Sequence, residues 1–257
     1  MLGSILLSLR VVLIFMVFFL LSFIFMFVFL IRFKNTSNNL IFGKTFSYIS
    51  AKILRIKVNL RGEQILHDHK HSVIIANHQS YFDAIVFGAI IPPNTLIIGK
   101  KSLIWFPLFG WVFYLAGNLL LNRKNHKKAM GTMRNVDIAI QNGSSLWIFP
   151  EGTRSHGRGL KEFKKGAFYA ALQNHVPLQP IVVNTFKNSL NFKKWNPGKI
   201  LVEVLEPIQT KRVSVEEITS LMTRAHEIMK NKITLLDQEL RTQALGSESV
   251  PVSASSS

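Results

Sequence analysis

Cysteine is absent from the whole chain. That excludes disulfides, thiolate metal sites and a cysteine nucleophile. Acidic residues are scarce: 14 Asp and Glu stand against 31 Lys and Arg, a formal net charge of +17 over 257 residues. Such a balance seeks anions, whether nucleic acid, anionic lipid or phosphorylated substrate. No Gly-x-Ser-x-Gly occurs, so the nucleophile elbow of serine hydrolases is missing. The phosphate loop of nucleotide-binding enzymes is missing too. Its nearest approach, "GKKS" at 99–102, has Asn94 where the first glycine belongs and Lys101 where Ser or Thr should follow the lysine. There is no internal repeat.

What the chain does have is a long apolar start. Val11 to Ile31 are 21 consecutive residues, all apolar except Ser22, and seven are phenylalanine. At about 1.5 Å per residue such a helix matches the roughly 30 Å hydrocarbon core of a bilayer. The flank "FVFLIRFKN" offers no small-residue cleavage site, so a retained anchor is expected rather than a signal peptide. Only Arg10 precedes the run, whereas Arg32, Lys34, Lys44, Lys52, Arg55 and Lys57 follow it. The positive-inside rule then puts the bulk of the protein in the cytoplasm, at the membrane. A re-entrant insertion with both ends cytoplasmic satisfies the same pattern. An anchor also accounts for the Phe-rich start in a way that nucleic-acid binding does not.

In "TFSYISAKILRIKV", Phe46, Ile49, Ile53 and Ile56 recur at helical spacing with Lys52, Arg55 and Lys57 between them. This predicts a basic amphipathic helix, lying in the membrane interface or packed on a core. Beyond it, "SVIIAN" (72–77), "TLIIG" (95–99), "SLWIF" (145–149), "PIVVNT" (180–185) and "ILVEVLE" (200–206) read as strands, most of them buried. Ala129, Met133, Val136 and Ile140 mark a helix ending before Gly143. Another opens at Ser214, with Glu217 completing a capping box and Ile218, Leu221, Met222, Ala225, Ile228 and Met229 as its apolar face. The alternation predicts an α/β fold, a mixed sheet flanked by helices. The boundaries are an anchor (1–34), an amphipathic segment (35–57), an α/β domain (58–242) and a small, polar, disordered tail (243–257).

Two stretches carry candidate chemistry. "NHQSYFD" places His78 and Asp83 five positions apart just past a buried strand, where α/β sheets hold their sites. A carboxylate one turn away can accept a hydrogen bond from one imidazole nitrogen, leaving the other to take a proton. A helix cap and a surface acid would give the same letters. "FPEGTRSHGRG" (149–159) also follows a strand. Gly152 permits an unusual backbone path, Thr153 and Arg154 supply donors, and the guanidinium fork suits a phosphate. Lys161, Lys164 and Lys165 extend the field, although a solvated basic loop has the same composition. "HDHKH" (67–71) has three histidines two apart and is expected to be an exposed tract, not a metal site.

"NHQSYFD", "GNLLLNR", "FPEGTRS" and "VPLQPIVV" (176–183) together resemble the four ordered motifs of the glycerolipid acyltransferases, in particular the bacterial 1-acylglycerol-3-phosphate enzymes. The resemblance runs from about residue 70 to 185 and also covers "GKKSLIWFPLFGW" and "RGLKEFKKGAF". It implies that His78 is the general base on a glycerol hydroxyl and Asp83 its orienter. It gives Arg123, Glu151, Gly152, Thr153 and Arg154 to the glycerol phosphate. It gives Pro177, with Lys100 and Lys101, to the acyl-donor or acyl-chain region. The second motif departs from the family at Asn122, where an aspartate often precedes the arginine. No metal or cofactor is implied beyond acyl-CoA or acyl carrier protein as co-substrate, because a thioester is already activated. The implied partners are a membrane lipid, the acyl donor and an anionic membrane surface, with no nucleic acid. Other acceptors compatible with these residues are glycerol 3-phosphate, another lysophospholipid and a lyso-ornithine lipid. A membrane-anchored module that binds anionic lipid without turnover would not need His78 and Asp83 together.

Overall fold

The computed structural model describes residues 1–68, 71–122 and 126–248. The apolar start forms one 30-residue helix, α1 (Leu2–Ile31), about 45 Å long. It begins well before Val11, because Leu2–Arg10 holds no proline and a single glycine. A tight turn follows. The Asn38 side-chain amide donates to the Arg32 carbonyl at 2.8 Å, and Arg32 Nε donates to Asn38 Oδ1 at 3.1 Å. Helix α2 (Asn38–Leu54) then runs back along α1, with Phe42 against Phe25 and Phe46 against Phe18.

The expected amphipathic helix is therefore present, and it packs on the core. Phe46 and Leu54 are buried, while Lys44, Tyr48 and Lys52 stay on its outer side.

The remaining chain builds a seven-stranded mixed sheet of order β1-β7-β6-β2-β5-β3-β4. The strands are β1 (Lys57–Arg61), β2 (Val73–Ala76), β3 (Thr95–Lys100), β4 (Leu119–Leu121), β5 (Ser145–Ile148), β6 (Leu178–Val183) and β7 (Lys199–Val204). β6, β2, β5, β3 and β4 run parallel; β7 is antiparallel to β6, and β1 is parallel to β7. All five expected strands are found. β1 was not expected because "KVNLR" carries only two apolar residues and lies at the sheet's edge. β4 was missed because three leucines between Asn118 and Asn122 are too short a run to read as a strand.

Short helices α3 (Glu63–Asp68), α5 (Phe109–Leu115) and α8 (Phe186–Ser189) lie among the connections. Alternate residues of the central strands feed two cores, as both faces are covered. Val73, Ile75 and Leu146 meet α6 (His126–Gln141), α7 (Gly166–Gln173) and α9 (Ile218–Glu248) through Val136, Phe168, Ala225 and Met229. Ile74, Ala76, Trp147 and Ile181 meet α2 and α4 (Asp83–Gly88) through Phe46, Ile85 and Phe87. Helix α9 starts at Ile218, four residues later than expected, because the Ser214–Glu217 pair closes a turn ahead of it: the Ser214 N–H donates to Glu217 Oε2 at 2.9 Å. Ile228 turns outward from its apolar face, 36% exposed. The helix continues through Glu248, so residues 243–248, expected in the tail, are helical; 249–257 lie outside the described residues.

Candidate active site

Because β2, β5 and β3 are parallel, their C-terminal ends share one edge of the sheet. Both motif loops leave from that edge. At the end of β2 the Asn77 side chain exchanges two hydrogen bonds with the Val183 backbone, both 2.9 Å, and ties the loop to the end of β6. Gln79 adds a second tie, donating to the Asn184 carbonyl at 2.8 Å and accepting from the Phe186 N–H at 3.1 Å. The chain then turns into α4, whose first residue is Asp83.

Asp83 is buried. Its Oδ2 accepts from the backbone N–H groups of Gln79 at 2.7 Å and Ser80 at 3.0 Å, and meets His78 Nδ1 at 2.6 Å. An acceptor-only carboxylate assigns the ring hydrogen to Nδ1. The neutral ring then carries its lone pair on Nε2, which has no partner among the described residues. The imidazole lies flat on Phe149, 4.1 Å between centroids and 16° between planes. Its orientation is thus fixed on one edge and one face.

The second loop follows β5. Glu151 is buried, and its carboxylate bridges the two loops: Oε1 accepts from the His78 N–H at 2.6 Å, and Oε2 from the Lys161 N–H at 3.0 Å. Burial pushes this carboxyl up to about 7, against the pull of the two amides. Gly152 has φ +71°, and a Cβ there would press on Lys164 at 3.1 Å. Exposed Thr153 accepts from Lys161 Nζ at 2.8 Å. Arg154 lays its guanidinium 3.8 Å above the Tyr81 ring. The Ser155 N–H donates to the His78 carbonyl at 2.8 Å, and the His156 N–H to the Gln79 carbonyl at 3.0 Å. His78, Gln79 and Tyr81 of one loop and Phe149, Glu151, Arg154, Ser155 and His156 of the other are therefore zipped into one structure, with an oriented imidazole beside a cationic loop.

Not every expected site residue joins it. Both Glu151 oxygens are engaged by backbone, which makes the residue a tie between loops; the expected contact with phosphate is not what its geometry offers. Lys100 ends β3 on the shared edge and Lys101 follows it, both exposed. Pro177 lies away from the site. It immediately precedes β6, its carbonyl accepting from the Val73 N–H at 3.0 Å, so it sits at the start of β2 and β6 and at the opposite edge from His78. The fourth motif reaches the site through its far end, Val183 and the following Asn184. Arg123 and the centre of "HDHKH" lie outside the described residues. Asn77, Gln79, Phe149 and Ser155 were not singled out from sequence. Asn77, Gln79 and Phe149 sit inside or beside the motifs, but nothing in their identity says which backbone they hold.

An imidazole held on a buried carboxylate is thus joined to a basic loop at the C-terminal edge of an α/β sheet, where such folds place their sites. The chain belongs to the Acyltransferase family, whose model matches residues 57–184. It is 37% identical over 211 residues to a 1-acyl-sn-glycerol-3-phosphate acyltransferase of Haemophilus influenzae, covering 82% of this chain and 88% of that one. It is 38% identical over 208 residues to the Escherichia coli protein of that name, covering 80% and 84%. The fold is shared with the crystal structure of the 1-acyl-sn-glycerophosphate acyltransferase PlsC from Thermotoga maritima, at TM-score 0.62 and 23% identity over 77% of this chain and 79% of that one.

Proposed function

We propose that the protein moves a fatty acyl group from acyl-CoA or acyl carrier protein to the sn-2 hydroxyl of 1-acylglycerol 3-phosphate, giving phosphatidic acid. The names of its relatives support the acceptor. The observation that carries the mechanism is the junction of the His78–Asp83 pair with the Glu151–Arg154 loop. Nε2 takes the proton of the acceptor hydroxyl as its oxygen bonds to the thioester carbonyl carbon. The carbon–sulfur bond then breaks, and the proton passes from the imidazolium to the leaving thiolate. Asp83 keeps Nδ1–H pointing away from the reaction, so the reactive tautomer is always presented. Arg154, with Thr153 and the turn made at Gly152, holds the acceptor phosphate, and Arg123 is assigned to the same group. Holding the phosphate so that the sn-2 hydroxyl lies beside His78 makes the attack effectively intramolecular, a large part of the rate. Glu151 positions the base through its backbone.

Substrate access follows from α1. Its outer side exposes Val12, Met16, Leu20, Phe23 and Phe27. Its inner side is fastened near both ends: Arg10 donates to the carbonyls of Phe192, Lys194 and Trp195, and Phe29 is fully buried against Val112 and Leu115. A helix fixed alongside the domain in this way fits one embedded along its length better than one that crosses and leaves the domain behind. The lysines and arginines after it keep the domain on the cytoplasmic side.

The test is acyl transfer by purified membranes, with lysophosphatidic acid and a panel of labelled donors. His78→Ala should lower the rate by about 10²–10⁴-fold while membrane content stays the same. An unchanged rate removes His78 as the base, and faster use of glycerol 3-phosphate or another lysolipid overturns the acceptor.

A further inference from the structure

Arg154 is held in an unusual way for a residue given to anion binding. Its guanidinium lies 3.8 Å over the face of Tyr81. Its Nε is enclosed and has no hydrogen-bond partner, and no carboxylate pairs with it among the described residues. What fixes the group is therefore the ring. Tyr81 is 76% exposed, so this aromatic surface is not there to fill a core. It is itself held rigidly. The turn that carries it is closed by the Gln79 and Ser80 amides on Asp83 Oδ2 and by the Phe82 N–H on Ser80 Oγ at 3.0 Å. The Ser155 and His156 amides then bind that turn to the loop that carries Arg154.

We propose that Tyr81 is a positioning residue that fixes Arg154 for the phosphate of the acceptor, and that it thereby sets the enzyme's preference for phosphorylated over uncharged glycerol acceptors. This rests on the reading of Arg154 as the phosphate contact. Stacking satisfies the cation through its π face and leaves its terminal N–H groups without a carboxylate partner, which would have occupied the same fork that a phosphate needs. It also removes rotamer freedom before the ligand arrives, so less ordering remains to be lost on binding. The rigid turn places the ring two residues before Asp83, which ties the anion site to the base by covalent and hydrogen-bonded links alone.

The experiment is steady-state kinetics of full-length Tyr81→Phe, Tyr81→Ala, Arg154→Ala and the Tyr81→Ala/Arg154→Ala double variant, with lysophosphatidic acid, with monoacylglycerol, and with varied acyl donor. Tyr81→Ala should raise KM for lysophosphatidic acid by about 2- to 25-fold, the range such stackings cover, with kcat and the donor KM nearly unchanged. Tyr81→Phe should behave like the natural enzyme, because the ring is kept. In the double variant the Tyr81 change should add nothing to the Arg154 change. The rate with monoacylglycerol should not move. An additive double variant, an altered donor KM, or an unchanged KM in Tyr81→Ala while Arg154→Ala raises it would overturn the role of Tyr81 alone. If Arg154→Ala itself leaves KM for lysophosphatidic acid unchanged, the phosphate reading falls, and this inference with it.

Discussion

At the scale of single residues, the site depends on two buried carboxylates with different tasks. Asp83 spends one oxygen on three donors, one of them the imidazole. Asp83→Asn presents an amide that can offer an N–H where the ring N–H now points. The other tautomer is then favoured, and kcat should drop by about 10²–10⁴-fold with KM little changed, measured on the purified protein. Glu151 instead accepts from two backbone amides that nothing else reaches. Glu151→Gln leaves one of those buried N–H groups facing an NH₂, a loss of about 1–3 kcal/mol in stability. Thermal unfolding should show it as a lowered midpoint, and kcat should fall because His78 loses its backbone tie. The sequence made His78, Asp83 and Arg154 legible as candidates, and the structure joins the loops that carry them. The sequence did not show how Glu151 is held, because a carboxylate beside a basic loop reads the same whether it points outward or into the backbone.

At the scale of elements, the placement of Asp83 depends on how closely α4 approaches α2. Gly43 and Gly88 face each other, and a Cβ on either would meet the other's carbonyl oxygen at 2.8–2.9 Å. Backbone cannot yield as a side chain can, so Gly88→Ala must push the helices apart. It should cost about 1–3 kcal/mol and reduce activity through Asp83. Gly131, exposed on α6 with nothing within 4 Å of an added Cβ, is the contrast: Gly131→Ala should be neutral or stabilise by up to about 1 kcal/mol. Paired melting curves check both, and equal effects would deny the close approach its role. Strands and helices with strong periodicity were readable in advance. β1 was not, since an edge strand with two apolar residues gains its place from β7 rather than from its own pattern.

For the whole molecule, pH and charge give the expectations. The Glu151 carboxyl is raised from its ordinary 4.5 to about 7, so the folded state holds this proton more tightly than the unfolded chain does. Its contribution to stability is therefore greatest below pH 4.5 and is lost as pH rises through about 7, a change of about 3 kcal/mol. Urea midpoints across that window, natural protein against Glu151→Gln, should show this dependence in the first and not in the second. The net charge of +17 predicts tighter binding to anionic than to neutral vesicles, weakening as salt shortens the screening length. Salt-independent binding would leave α1 alone as the membrane contact.

The sequence by itself determined the apolar helix, the alternation of strands and helices, and the two motif loops, because these follow from periodicity and from residue types with few other uses. Only the tertiary structure decided which groups meet. The hydrogen bonds from Ser155 and His156 to the first loop, the inward turn of Glu151, the removal of Pro177 to the far edge and the stacking of Arg154 on Tyr81 all join residues distant in the chain. Such contacts are set by strand order and by satisfaction of buried backbone, which no local pattern encodes.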